Sequence, residues 1–254
     1  MISVKEDLKS FYNSYAKKYH ETRKKHWEEV TIILNEISQE GNKKISILEF
    51  GCWWWRLINH LNKNFPKTQI NYTWVDISAG LIKLAQKDNP QNNFICADIT
   101  EYIKKTKQES FDYIIWTESF QHIPTLKERF FLMKNFYRIL KYDGKIIMTN
   151  WWLSNRFIKK YYKNILNSVL KYITSFWKKS PRDVFVPWKS TEHKKELRFY
   201  HIFWLNELEN LARLSWFIIS KIWYIQKDNS VSNERKNART SLLVASKRIF
   251  NPTN

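Results

Sequence analysis

Between residues 45 and 149 the chain alternates short apolar runs with helix-like ones, and this alternation constrains the fold more than any other feature. Residues 45–50, 70–75, 93–97, 111–116 and 145–149 read as strands, with residues 57–64, 81–86 and 126–140 as helices between them. The fifth strand is entered through Tyr142-Asp143-Gly144, a turn signal. Strands separated by helices pair in parallel, so the pattern predicts one mostly parallel sheet with helices on both faces. Upstream, Leu8, Phe11, Tyr12, Tyr15 and Tyr19 recur at three- and four-residue steps. The first 40 residues therefore read as helical, with a second run over 30–37. Downstream, residues 155–179 read as a basic, aromatic helical insertion and residues 206–214 as a helix. Residues 217–225 and 240–246 are β-rich and would close the sheet as an antiparallel pair; the polar stretch 226–239 reads as an exposed loop. A chain of 254 residues fits one such domain.

In a sheet of this kind ligands bind at the carboxyl ends of the strands. Glu49, Asp76, Asp98 and the pair Thr117-Glu118 stand at four such ends. One acid there is commonly a turn former; four in order point to a site. Asp76 also lies at the spacing after the first loop at which an acid takes a ribose hydroxyl. That first loop is odd: Glu49-Phe50-Gly51-Cys52-Trp53-Trp54-Trp55-Arg56. With glycine at Trp53 and Trp55 it would read E-x-G-C-G-x-G, a backbone cradle for a ligand. Glycine suits such a loop because it tolerates positive φ and lets backbone approach closely.

Composition bears on that oddity. A chain this long would carry roughly 18 glycines, yet it has 4, beside 13 tryptophans. A stop codon reassigned to glycine but translated as tryptophan would produce this pattern, and the Lys-, Asn- and Ile-rich composition fits an AT-rich genome. Genuine aromatic enrichment, in a core or an RNA-stacking surface, is the alternative. Trp53, Trp55, Trp74 and Trp216 stand at glycine-like sites, and Trp54 is open. The codons at these positions discriminate the two readings.

The net charge of +19 is unevenly spread. Residues 1–150 hold 23 Lys/Arg against 17 Asp/Glu, and residues 151–254 hold 20 against 7. The basic second half points to a polyanionic partner or to general solubility. No run of some 18 apolar residues and no signal-peptide h-region is present, so a cytoplasmic protein with no membrane partner is expected. Cys52 and Cys96 lack metal-ligand spacing.

ILEFGCWWWRL, YTWVDISAGLIKLA, NFICADI, SFDYII and RILKYDGKIIMTNW resemble, in order, the motifs of class I S-adenosylmethionine-dependent methyltransferases. The resemblance covers nearly the whole chain. It implies a Rossmann-like fold with a mostly parallel seven-stranded sheet and an antiparallel C-terminal strand pair. The implied cofactor is S-adenosylmethionine. Glu49, Gly51, Trp53 and Trp55 would form its loop, with Asp76 and Ile77 at the ribose and Asp98 and Ile99 at the adenine. Thr117 would close the site at the end of the fourth strand. Three indoles in the loop depart from the family pattern.

A narrower resemblance is to the tRNA wobble-uridine methyltransferases, which esterify 5-carboxymethyluridine. It rests on Tyr12-Asn13-Ser14-Tyr15-Ala16 with Thr22-Arg23, on Phe120-Gln121-His122-Ile123-Pro124-Thr125, and on Arg198-Phe199-Tyr200-His201-Ile202-Phe203 with Glu207-Leu208. It implies a single domain over 1–254, a basic insertion over 155–200 facing RNA, and the tRNA anticodon loop as partner. Some relatives in that family need a small activator subunit, so one is among the expected partners. Class I enzymes acting on a quinone precursor or another metabolite are the competing class. A non-catalytic RNA-binding protein follows if the tryptophans are literal.

A carboxylate is already nucleophilic toward a sulfonium methyl group, so positioning matters more than a strong base. Arg198 could fix the carboxylate bidentately, with His201 and His122 as hydrogen-bonding partners. Arg198 could equally be a surface ion-pair donor, His122 a core histidine, and His201 part of a packed strand. Tyr12, Tyr15 and Tyr19 could form a cofactor lid or simply core. Arg23 could meet the cofactor carboxylate or solvent.

Overall fold

The computed structural model describes residues 4–21, 29–37, 44–51, 57–175, 180–188, 196–235 and 237–248, and the structural statements here concern those residues. Three helices come first, α1 (Val4–Ser14), α2 (Ala16–Glu21) and α3 (Glu29–Glu36). The alternating section follows: β1 (Lys44–Phe50), α4 (Leu57–Asn64), β2 (Gln69–Asp76), α5 (Ala79–Asp88), β3 (Asn93–Cys96), α6 (Ile99–Lys105), β4 (Phe111–Thr117), a 3-10 turn at Phe120–His122, α7 (Leu126–Ile139) and β5 (Leu140–Trp151). Then come α8 (Asn155–Thr174), β6 (Asp183–Trp188), β7 (Glu196–His201), α9 (Leu205–Arg213), β8 (Ile218–Gln226), β9 (Val231–Ser232) and β10 (Ala238–Ser246).

The main sheet runs β3-β2-β1-β4-β5-β10-β8-β9. β1 through β5 pair in parallel, and β10 is antiparallel to both β5 and β8. This is the expected α/β architecture with its antiparallel C-terminal pair. Seven strands were expected; the two-residue β9 adds an eighth at the edge of β8. Side chains along each strand alternate between two cores. Ile47, Trp74, Tyr113 and Leu242 meet α3, α4 and α5 on one face, while Leu48, Phe50, Ile114 and Leu243 meet α6, α7 and α9 on the other. Burial on both faces is why these strands read as nearly continuous apolar runs.

α8 lies within the stretch 155–179 expected to be helical, and two strands follow beyond it. Residues 183–188 and 196–201 form a separate two-stranded antiparallel sheet, with Val186 opposite Arg198. Among the described residues no helix is long and apolar enough to cross a membrane, and no cluster of His, Cys, Asp and Glu is arranged to hold a metal ion.

Two of the glycine-like tryptophans fall within the described residues, and they differ. Trp74 is fully buried on β2, edge-on to Phe94 at 5.7 Å. An indole fits there. Trp216 is 60% exposed and has φ +68°. It follows α9, where its N–H donates to Arg213 O and the N–H of Phe217 donates to Ala212 O. This pair of bonds is the Schellman helix ending, whose left-handed position is usually glycine. A bulky side chain at such a φ is an outlier.

Candidate active site

A cleft of about 760 Å³, its open mouth included, lies over the carboxyl ends of β1, β2 and β4. Ligand pockets commonly fall in this size range. It sits where the strand order reverses, between β1 and β4, the usual binding crevice of an open α/β sheet. Of the residues expected at a cofactor, Tyr12, Gly51, Asp76, Ile77, Asp98 and Ile99 line it. Trp53, Trp55 and Arg23 lie outside the described residues.

The floor is built by strand ends. Gly51 has φ +44° and donates its N–H to Val75 O at 2.9 Å; a Cβ there would come within 3.0 Å of Ser119 Oγ. The backbone therefore approaches the cleft in a way only glycine tolerates without strain. Asp76 ends β2, and its Oδ1 accepts the N–H of Ser78 at 2.7 Å. Asp98 caps α6, accepting the N–H of Thr100 at 2.7 Å. Burial works against charge on Asp98, but Lys5, 3.2 Å away, together with the Thr100 hydrogen bonds lowers its pKa.

The roof is α1 and α2. Lys5, Leu8 and Tyr12 line the cleft at i, i+3 and i+7 of α1, and Tyr19 adds to them from α2. Asn13 Oδ1 fastens this roof to α5 by accepting from Ser78 Oγ at 2.9 Å and from the Gly80 N–H at 3.0 Å. Gly80 makes the approach feasible, since a Cβ there would lie 2.9 Å from Ala16 Cβ. Sequence reasoning missed Lys5, Leu8, Trp116 and Ser119 as lining residues, while Glu118, read with Thr117 at a strand end, does line the cleft. Their signal was partly available, since Lys5 and Leu8 share the helical face of Tyr12. Glu118 adopts φ +46°.

Two expected cofactor residues do not line the cleft. Glu49 is fully buried and accepts a hydrogen bond from the Tyr72 hydroxyl. Burial first, and then the charge of Asp76, raises its pKa well above the ordinary carboxylate range. Alternation along β1 explains this, because Glu49 points with Ile47 into the core beneath α3 and α4. Thr117 is likewise buried, and its hydroxyl has no hydrogen-bond partner among the described residues.

At the far end of the cleft His122 is half-buried, with Nδ1 2.6 Å from Phe199 O and Nε2 3.1 Å from the Tyr12 hydroxyl. A carbonyl can only accept, so Nδ1 carries the proton and Nε2 accepts from Tyr12. Burial, then the Arg198 charge, lowers the His122 pKa to about 3. His122 is therefore neutral and serves as a hydrogen-bond acceptor. Behind these two stands Arg198, 5% exposed, between the rings of Phe11 and Tyr200 at 5.3 and 5.2 Å. Burial opposes its charge, but Tyr200, Tyr12 and Tyr19 outweigh burial and hold the guanidinium above its ordinary range. Among the described residues no carboxylate stands within ion-pair distance of it. It is one side chain behind the cleft wall.

His201 is placed elsewhere, away from the cleft. Its Nδ1 faces Asp183 Oδ1 at 2.6 Å and its Nε2 faces Glu207 Oε1 at 3.0 Å. Glu207 also pairs with Arg129 and Arg182. Both ring nitrogens are thus engaged in tying β6 and β7 to α7 and α9, which leaves neither for an acceptor molecule. The strand alternation that buries Arg198 with Tyr200 turns His201 to the opposite side.

A doubly wound sheet with its cleft at the strand-order reversal, a glycine at the first turn and acids ending the second and third strands is the architecture of class I methyltransferases. Residues 48–148 match the family described as "Methyltransferase domain". It is 30% identical over 147 residues to malonyl-[acyl-carrier protein] O-methyltransferase 1 of Ilyobacter polytropus, covering 56% of this chain and 52% of the relative. The chain thus spans about half the length of that curated relative. Among solved structures it is similar to a SAM-dependent methyltransferase of Methanosarcina mazei, with TM-score 0.64, 18% identity, 86% of this chain and 97% of that one. It is also similar to a Haloferax volcanii methyltransferase solved with the Trm112 methyltransferase activator, with TM-score 0.62, 12% identity, 96% of this chain and 98% of that one. At such identities the structural likeness speaks for the fold.

Proposed function

We propose that this protein is an S-adenosylmethionine-dependent methyltransferase whose acceptor is a carboxylate. The finer reading is that the carboxylate belongs to 5-carboxymethyluridine at the wobble position of tRNA, in the cytoplasm. The observation that carries the acceptor chemistry is Arg198, a buried, charged guanidinium with no carboxylate within reach among the described residues.

The cleft fits the cofactor on its own geometry. Gly51 leaves the backbone open where a Cβ would collide, Asp76 stands ready for ribose hydroxyls, and Asp98 stands for the adenine edge. When bound, the cofactor supplies an electrophilic methyl group. The protein's own part is positional. Tyr12 donates to His122, and His122 donates to Phe199 O, so the tyrosine hydroxyl is fixed at the cleft wall with the Arg198 guanidinium behind it. The positive charge behind it draws an anion to that end. A carboxylate needs no deprotonation, which agrees with a histidine held neutral and already engaged.

A second reading, a carboxylate on a small molecule or acyl carrier, is favoured by the Ilyobacter relative, whose name describes an O-methyltransferase of malonyl-[acyl-carrier protein]. As partners we propose the tRNA anticodon loop and a small activator subunit, the latter in line with the Haloferax complex. The test is mass spectrometry after incubation with labelled cofactor, using the chain as it stands and its Trp53→Gly/Trp55→Gly variant. A methyl ester on carboxymethyluridine in tRNA supports the first reading, and an ester on malonyl carrier protein supports the second. Methyl transfer solely to nitrogen or carbon acceptors would sink the carboxylate assignment.

A further inference from the structure

α8 carries an apolar face that the described residues leave uncovered. Its inner face, through Phe157, Tyr161 and Ile165, packs with Val184, Val186 and Tyr200 into a small core of its own. On the adjoining face Ile158, Tyr162, Leu166, Leu170 and Ile173 recur at steps of four, four, four and three, and they stand 39% to 61% exposed. Beyond a kink at Tyr161, Tyr162 to Ile173 form one stripe, about 17 Å long. Alongside it lie Lys159, Lys160, Lys163 and Lys171, all exposed. Residues 144–182 contain no Asp or Glu at all.

Each element of this face narrows what covers it. A helix face kept merely soluble mixes lysine with glutamate and carries few large aliphatic residues. Phosphate contacts would occupy the lysines, but RNA offers no apolar surface to isoleucine and leucine, and aliphatic chains do not stack on bases as aromatic rings do. Two copies pairing through this face would bring lysines against lysines. A basic amphipathic helix with an aliphatic stripe matches an anionic bilayer on both counts.

We propose that α8 is a membrane-surface helix that docks the protein on anionic lipid, with the stripe entering the boundary between headgroups and acyl chains and the lysines meeting lipid phosphates. The expectation of no membrane partner rested on the lack of a spanning segment, and a helix lying in the interface needs none. The inference does not depend on the acceptor. It does bear on the choice, since α8 packs on β6, the partner of the strand that holds Arg198. Docking would bring the acceptor end of the cleft close to the bilayer, where amphiphilic acids collect.

The experiment is co-sedimentation of the full chain with phosphatidylglycerol–phosphatidylcholine vesicles and with phosphatidylcholine vesicles alone. Binding is expected with the anionic vesicles, and it should weaken as salt rises because surface attraction is screened. Leu166→Glu/Leu170→Glu should lower it by about tenfold or more, since both the apolar contact and the charge balance are lost. Both leucines are exposed, so an unchanged thermal unfolding profile checks that the variant is folded. Equal sedimentation of the variant and the parent chain would overturn the proposal. So would absence of vesicle binding by the parent chain, or a dimer in gel filtration that the same substitutions dissociate.

Discussion

At the end of the cleft proposed for the cofactor, Gly51, Asp76 and Asp98 each stand where a parallel strand stops or just beyond it. At the end proposed for the acceptor, Tyr12, His122 and Arg198 come from α1, from a 3-10 turn and from β7, and they meet only through the folded chain. The first set is placed by local rules. A strand of known period ends, the chain turns, and a side chain points into the crevice. The second set is a relay of contacts in which each group fixes the next. Damage at the first end should therefore stay local, whereas damage at the second should spread along the relay.

The largest effect should come from the cofactor end. In the Trp53→Gly/Trp55→Gly background, Asp76→Ala should weaken S-adenosylhomocysteine binding by about a hundredfold, or about 3 kcal/mol, as expected for losing hydrogen bonds to a charged group. Arg198→Leu should leave that affinity within about threefold and instead raise the KM of the acceptor. Calorimetry and steady-state kinetics read the two separately. Equal loss of cofactor affinity in both variants would dissolve the distinction between the ends.

A smaller effect, on stability, should come from the acceptor end. Burial lowers the His122 pKa from 6.5 to about 3, with the Arg198 charge adding to it. As pH falls through 6.5 the unfolded chain takes up a proton that the folded chain refuses until about pH 3. Stability attributable to His122 is thus complete above pH 6.5 and drains as pH falls toward 3. By about pH 5 the loss should reach about 2 kcal/mol. His122→Gln should flatten that part of the stability curve in denaturant titrations at several pH values. A slope unchanged by the substitution would mean that other groups set it.

The same contrast explains what was legible in the sequence. Short apolar runs alternating with helical ones gave the parallel sheet, and acids at strand ends gave two residues that line the cleft, Asp76 and Asp98, because both depend on neighbours in the chain. Glu49 misled for a local reason. It lies one residue before the end of β1, so alternation turns it into the core toward Tyr72. His201 misled for a tertiary one, since nothing in Arg198-Phe199-Tyr200-His201 announces that Asp183 and Glu207 will take both ring nitrogens. Lys5 was overlooked because its partners, Asp98 and Glu128, are far away in the chain.

The smallest predicted effect concerns the tryptophans. Trp74 and Trp216 were grouped as glycine-like on sequence, and the fold separates them. An indole at 74 fills core; one at 216 sits at a left-handed helix ending where a Cβ clashes with the carbonyl that follows. Among the described residues its outward ring meets Tyr137 edge-on at 5.8 Å and Lys134 at 5.1 Å. Trp216→Gly should therefore stabilise the protein by about 1 kcal/mol, the relieved backbone strain exceeding these surface contacts. Trp216→Ala keeps the Cβ and loses the contacts, so it should be no more stable than the tryptophan chain. Equal gains from glycine and alanine would show that the ring, and not the backbone, was at fault. The gain reserved for glycine is what a glycine codon read as tryptophan would leave behind. The intact mass of the protein from its native host then carries that argument back to positions 53 and 55, where the same exchange would restore the cofactor loop.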